Sequence, residues 1–484
     1  MKLKTWRKHH KWFGLIMGFF LVMFCWSGIV LNHRDAVSGL ELSRSSLPGS
    51  YQYSAWNNGL VRGVAAADGG CQFIYGNAGV FSADSSFRCV RQLNEGFPDG
   101  VDNRNVRSML LTRGMTLALT TQGLYRLTSD SSWREVAVLP CDERYSDMVI
   151  AGDTLVVVGR SRLYVSSLSS DSATAFGCVT LPAPDGYDGK VSLFKTIWGI
   201  HSGGIFGSVG KVIMDSIAVI LILLYLSGLI YWFTTNRIKH RKKSVKPSAL
   251  LVGSMRASLI SHDIIGRKTI LFTIFICLTG WCLRPPLMIA GILTRVPPLP
   301  FTALDDPNAW ADKLRALRYD SLAGDWLLST SDGFYSMKTL SSVPQKLEDA
   351  PPVSIMGVNV FRRGGGEEWL VGSFRGLYRW DRSSGGVYDF YDGTRPKKSG
   401  MPVGEHDVCG WMLGPVEYTS GTSVAPMPDA LAALPMSLWN FALEVHTGRI
   451  YTFMGSLSTL LWVFLAGAAA LWVLWSGWKI RRGK

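Results

Sequence analysis

Four stretches of the chain run almost without charge: Trp12–Leu31, Ser216–Phe233, Thr269–Leu283 and Phe453–Trp478. Each is apolar over about the length a helix needs to cross roughly 30 Å of hydrocarbon, so the pattern predicts four membrane spans. The third is the shortest. Its fifteen residues precede Arg284, Pro285 and Pro286, and "LMIAGIL" beyond reads as an interfacial or kinked continuation.

Between the spans the pattern changes to short alternating strands. Residues 35–195 contain "GNAGVFSAD", "TTQGLYRLTSD" and "GRSRLYVSSL", and residues 297–435 contain "TSDGFYSMK" and "SFRGLYRWD". Each phrase sets an apolar or aromatic pair after a turn residue. Phe81, Tyr125 and Tyr164 are spaced by 44 and 39 residues, and Tyr335 and Tyr378 by 43, a period suited to a four-stranded propeller blade. The expected fold is therefore an α-helical membrane protein with extracytoplasmic all-β, propeller-like segments. Two unrelated β sandwiches are the alternative.

Basic residues orient the spans. Lys2, Lys4, Arg7, Lys8 and Lys11 precede the first, "NRIKHRKKSVK" separates the second from the third, and "KIRRGK" ends the chain. All three clusters fall on one side of a four-span protein, which predicts cytoplasmic termini, periplasmic β segments and an inner-membrane location. The first apolar run is long for a signal peptide and lacks a small-residue cleavage site, so it is expected to stay as an anchor.

The predicted organisation is 1–34 cytoplasmic N-terminus and first span; 35–195 β segment; 196–235 histidine phrase and second span; 236–262 basic loop. It continues with 263–296 third span and outer flank; 297–435 β segment; 436–484 histidine phrase, fourth span and C-terminus.

Composition agrees with a membrane protein: 47% of 484 residues are hydrophobic and the mean hydropathy is +0.16. The net charge of +14 includes the clusters flanking the spans, which argues against nucleic-acid binding. Cys71, Cys89, Cys141 and Cys178 lie in the first outer segment, where an oxidising compartment permits two disulfides in three pairings. Cys71 with Cys89 and Cys141 with Cys178 are favoured because each pair brackets a short stretch of strands.

The spans repeat one another. His10, Gly14, Ser27 and Gly28 match His262, Gly266, Thr279 and Gly280 at identical spacing. His201, Gly203, Ile205 and Phe206 correspond to His446, Gly448, Ile450 and Tyr451, and Ser227–Gly228 and Ser476–Gly477 close the two copies. The layout predicts a tandem duplication with both copies in the same sense. It puts His10 and His262 at the inner ends of their spans and His201 and His446 at the outer ends. His33 joins the outer set without a counterpart.

Imidazoles at both faces of a helical bundle suit haem, whose iron takes two axial nitrogens. Glycines on the same helices let a flat macrocycle approach the backbone. Two haems, one near each face, would carry electrons across the bilayer. Interfacial histidines with ordinary small-residue helix packing are the competing explanation.

These phrases, "IHSGGIFGSVG", "EVHTGRIYTFMG" and the HxxxG…[ST]G spans, resemble the PepSY-associated transmembrane family, which includes inner-membrane ferric-siderophore reductases. The resemblance implies a haem b protein passing electrons outward to a periplasmic ferric chelate, in iron uptake. It implies His10, His201, His262 and His446 as iron ligands, His33 as a replacement ligand, and Gly14, Gly28, Gly203, Gly266, Gly280 and Gly448 beside the cofactor. The donor is expected to be a membrane quinol or redox protein, since no flavin or nicotinamide fingerprint occurs. Where that family usually carries PepSY modules, this chain has β segments. An anchored, non-enzymatic propeller scaffold is the alternative reading, and a transporter a lesser one. For the transporter, Asp215 is the only acidic residue abutting a span, expected to pair with Lys211.

Overall fold

Apolar side chains and internally satisfied backbone force the charge-poor runs into helices, and the computed structural model contains four that are long and apolar enough to cross a membrane. It describes residues 2–53, 61–66, 72–84, 90–137, 139–140, 143–168, 175–240, 247–352, 354–364, 367–373, 375–396, 412–413, 416–417, 429–451 and 455–482. The long helices are α1 (Leu3–Asn32), α3 (Gly207–His240), α4 (Ala249–Cys282) and α6 (Ser456–Arg482). Two short helices carry the outer histidine phrases, α2 (Leu193–Ser202) and α5 (Leu438–His446).

The third span departs most from expectation. Its helix starts at Ala249, so residues 249–262, expected in the basic loop, are helical. Ser248 caps it, its hydroxyl accepting from Leu251 N at 3.3 Å. A hydropathy window stops where Arg256, Asp263, Arg267 and Lys268 appear, but the helix runs on through all four, which are exposed. Arg267 pairs with Asp263 one turn away at 3.1 Å.

In this helical unit (1–37, 189–305 and 438–484) α1 packs on α3 and α6, and α4 packs on the same two helices, giving a ring of four. The twice-written histidine phrase has a local cause. In both copies the histidine lies in the last turn of a short helix, and the glycine two residues on takes a left-handed conformation: Gly203 and Gly448, each at φ +77°. A Cβ on Gly203 would sit 2.2 Å from Gly210 O, and one on Gly448 2.3 Å from the Trp462 ring. Both turns therefore require glycine.

Residues 38–188 and 306–437 form a second unit, built by both outer segments together. Among the described residues it contains five four-stranded antiparallel sheets in simple meander order. They comprise β1–β4 (Val61–Ala66, Gln72–Gly76, Gly79–Ala83, Val90–Gln92), β5–β8 (Val106–Thr112, Met115–Thr120, Leu124–Leu127, Trp133–Ala137) and β9–β12 (Tyr145–Ala151, Thr154–Gly159, Leu163–Ser167, Gly177–Val179). The second segment supplies β13–β16 (Leu314–Asp320, Asp325–Thr330, Gly333–Met337, Gln345–Leu347) and β17–β20 (Val360–Arg363, Trp369–Ser373, Gly376–Asp381, Gly386–Asp389).

The recurring aromatic marks the third strand of every sheet. Phe81, Tyr125, Tyr164, Tyr335 and Tyr378 are all buried there, and Gly79, Gly333 and Gly376 open three of these strands at positive φ. Each sheet packs face to face on the next in chain order. Val80 and Phe97 meet Ala118 and Trp133 between the first and second sheets, and Leu119 meets Leu155 between the second and third. Val156 and Leu163 meet Trp310 and Leu328 between the third and fourth, so the two outer segments share one core. Phe334 meets Trp369 and Trp380 between the fourth and fifth. Trp380 is thus core, its indole donating to Asp349 O at 3.0 Å, while Trp411 lies outside the described residues. The first strands β1, β5, β9, β13 and β17 lie beside one another in the same order, and the strand Met412–Leu413 packs against β1.

One disulfide expectation fails. Cys178 carries a free, exposed thiol. Cys71, Cys89, Cys141 and Cys409 lie outside the described residues. Cys25, Cys277 and Cys282 are free thiols in the helical unit.

Candidate functional site

Within the helical unit the four repeated histidines meet as two pairs. The rings of His10 and His262 are 6.0 Å apart between centroids, and those of His201 and His446 are 6.1 Å apart. One pair joins α1 with α4, and the other joins α2 with α5.

The small polar residue and glycine near the far end of each long helix hold a histidine. Ser476 on α6 faces His10, whose Nδ1 lies 3.1 Å from its hydroxyl and 3.1 Å from Val473 O. Ser227 on α3 faces His262, with Nδ1 3.2 Å from the hydroxyl and 3.0 Å from Leu224 O. Ser27 on α1 faces His446, with Nδ1 3.0 Å from the hydroxyl and 3.1 Å from Phe24 O. Thr279 on α4 faces His201, with Nδ1 2.8 Å from its hydroxyl.

These contacts fix the tautomer. A carbonyl oxygen only accepts, so Nδ1 of His10, His262 and His446 must carry the proton and donate. Thr279 already donates its hydroxyl to Phe275 O at 2.8 Å and so accepts from His201. Each Nε2 is left with its lone pair and, among the described residues, no hydrogen-bond partner. A ring oriented through Nδ1 with a bare Nε2 is the arrangement of a metal-ligating histidine.

A glycine follows each hydroxyl; Gly228 and Gly477 make room for the ring they face, whereas at Gly28 and Gly280 a Cβ would make ordinary contact. A Cβ on Gly228 would lie 2.9 Å from His262 Cε1, on Gly477 3.1 Å from His10 Cε1, on Gly28 3.4 Å from His446 Cε1 and on Gly280 3.5 Å from His201 Cε1. Gly228 and Gly477 are therefore site residues that the sequence reading passed over, although their Ser-Gly register was visible. Gly14 and Gly266 serve helix packing, facing Val473 and Leu224, and Gly203 and Gly448 are the turn glycines described above.

His33 stands apart from both pairs. Its Nε2 is 2.6 Å from Asp215 Oδ2, and Asn32 donates to the other carboxylate oxygen at 2.9 Å. The expected Lys211–Asp215 pair is absent among the described residues, because Asp215 turns across to the end of α1 instead. With its Nε2 engaged by a carboxylate, His33 is not a replacement ligand in this arrangement. His9 stacks on Phe13, His240 ends α3, and His406 lies outside the described residues.

A sequence profile of the PepSY-associated TM region matches residues 7–482. The chain belongs to that family. The match runs from the first helix to the last, so in this PepSY-associated member the five sheets lie inside the family's own span. No curated protein matches. Among solved structures, the extracellular domain of a hybrid two-component system protein from B. thetaiotaomicron is similar at 10% identity and a TM-score of 0.34, over 74% of this chain. This PepSY-associated chain spans about a third, 31%, of that one.

Proposed function

We propose that this PepSY-associated protein is a two-haem b electron conduit of the bacterial inner membrane, passing electrons from a membrane quinol or redox protein to a periplasmic ferric chelate. His10 and His262 would hold the inner haem, and His201 and His446 the outer one. The observation that carries the reading is the pairing of four imidazoles, each oriented through Nδ1, with ring centres 6.0 and 6.1 Å apart. Ring centres about 6 Å apart would leave room for two imidazoles to share one metal ion, given metal–nitrogen bonds near 2.0 Å.

When bound, the haem supplies one-electron chemistry at a potential set by its ligands and surroundings. The chain's residues do the rest. Ser27, Ser227, Thr279 and Ser476 hold the rings in one tautomer, and Gly228 and Gly477 admit the rings they face close to the backbone. The apolar helices exclude water and protons from the path. The symmetric bracing supports a duplicated origin: His446 on Ser27 answers to His201 on Thr279, and His262 on Ser227 answers to His10 on Ser476. The basic clusters support cytoplasmic termini.

The ordered packing of first strands and the strand Met412–Leu413 against β1 support reading the five sheets as blades of one propeller, facing the periplasm.

The test is a pyridine haemochrome assay with redox difference spectra on the purified full chain and on His10→Ala, His446→Ala and the double variant. Each single variant should lose half the haem and the double variant all of it. A colourless wild-type protein, grown with ample porphyrin, overturns the proposal, as do variants with unchanged spectra.

A further inference from the structure

The first strands of four sheets carry a β-bulge at the same place. Register slips between Val61 and Gly63, Val106 and Ser108, Tyr145 and Asp147, and Leu314 and Ala316. The extra residues are Arg62, Arg107, Ser146 and Arg315. A bulge re-aims the side chain it adds, and all four line one cavity of about 60 Å³, together with Arg318, Asp147 and Tyr75.

Charge in this cavity is unbalanced. Four guanidiniums line it against a single carboxylate, Asp147, which is taken by Arg318 at 2.5 Å and by Leu317 N at 3.2 Å. Arg315 is buried and bonds only backbone oxygens, those of Ile355, Asp312 and Leu314. Arg62 reaches Asn77 at 2.9 Å and leaves its Nε without a partner. The Arg107 guanidinium makes no hydrogen bond or ion pair among the described residues. Burial, followed by repulsion from Arg160, pulls both Arg107 and Arg315 down to about 10. A purely structural cluster would have recruited carboxylates, as the Asp320–Arg382–Asp325 network at the far end of β13 does.

We propose that this cavity binds an oxyanion, the carboxylate or phosphate group of a small molecule, through Arg62, Arg107 and Arg315. The size agrees: one water needs about 10–15 Å³ by the same measure, so the space takes an oxyanion group and a few waters, not a macromolecule. Guanidiniums are the donors that match carboxylate and phosphate geometry. The inference stands on the β unit alone, so it survives or fails separately from the haem reading.

The experiment is calorimetric titration of the full chain in detergent at low salt with citrate, inorganic phosphate and, as a control for unspecific anion binding, chloride. Wild type should bind citrate or phosphate once per chain, and Arg107→Gln should weaken this roughly 10-fold or more, as loss of a charge-assisted bond implies. Arg134→Gln, an equal charge change on the outer strand β8, should not. Binding of citrate alone identifies a carboxylate ligand, and of phosphate alone a phosphate ligand. A melting curve guards against a folding artefact: without ligand, Arg107→Gln should melt at or above wild type, because it relieves repulsion and breaks no bond. Binding of neither probe, chloride binding as well as both, an Arg107→Gln affinity equal to wild type, or a lower melting point for that variant each overturns the proposal.

Discussion

Replacing Gly228 by alanine puts a methyl group 2.9 Å from His262 Cε1 and 3.1 Å from its Nδ1. Carbon atoms rest about 3.5–4.0 Å apart, so the ring must retreat by roughly 0.6 Å. The retreat carries the bond from Nδ1 to Leu224 O, now 3.0 Å, to about 3.6 Å and beyond useful range. Losing one neutral hydrogen bond costs about 1 kcal/mol, and alanine regains about as much in helix propensity. The protein should therefore fold as before with a displaced His262. Loss of such orienting contacts weakens metal affinity roughly 10–100-fold. Gly28→Ala and Gly280→Ala serve as matched controls, since their methyl groups fall at 3.4 and 3.5 Å from the rings they face. Haem per chain, measured by pyridine haemochrome during dilution or competition with apomyoglobin, should fall for Gly228→Ala and hold for the two controls. Equal retention in all three variants would refute the argument that these glycines seat the histidines.

His33→Ala should leave the haem content and spectra unchanged, because that ring is committed to Asp215; a lost haem signal would restore it to the ligand set. Asp320→Asn should destabilise the β unit by about 1.5–3 kcal/mol, since it leaves the half-buried guanidiniums of Arg382 and Arg363 short of their counter-charge. Denaturant unfolding followed by tryptophan fluorescence reads this. Burial alone would raise the Asp320 carboxyl, but bonds from Arg382, Ala323 and Trp369 and the charge of Arg363 hold it below the ordinary carboxylate value. Its stabilisation is therefore full above about pH 4 and is lost as pH falls through the folded value, so the same unfolding curves should show wild type weakening in acid and Asp320→Asn changing less. Native protein treated with maleimide, without prior reduction, should label at Cys178; protection there would mean that the thiol is paired.

What the sequence made legible was whatever it wrote twice. Two copies of the histidine register and five copies of the strand-three aromatic could be aligned without coordinates, because a repeated site requires repeated spacing. Which rings meet could not be read, since His10 and His262 lie 252 positions apart and are joined only by the way four helices close into a ring. Ser27, Ser227, Thr279 and Ser476 were visible in register, but their role as proton acceptors depends on a crossing angle between helices. The arginine cavity left no periodic trace: each bulge adds a single residue, and its effect appears only when the first strands lie side by side. Asp215 shows the limit of local reasoning, for a lysine one turn away was a poorer partner than a histidine on another helix.

Both α1 and α4 carry a histidine near one end and a hydroxyl-glycine pair near the other, seventeen residues along in each case, His10 to Ser27 and His262 to Thr279. Seventeen residues of helix measure about 25 Å and turn through a set angle, so each rod is a fixed gauge that sets the interval between the two histidine levels. A single inserted residue anywhere along that gauge would swing one end by about 100° relative to the other and spoil one level to keep the other. The length of these two helices between histidine and hydroxyl is therefore held by both levels at once, a limit that the same geometry does not put on the β segments between them.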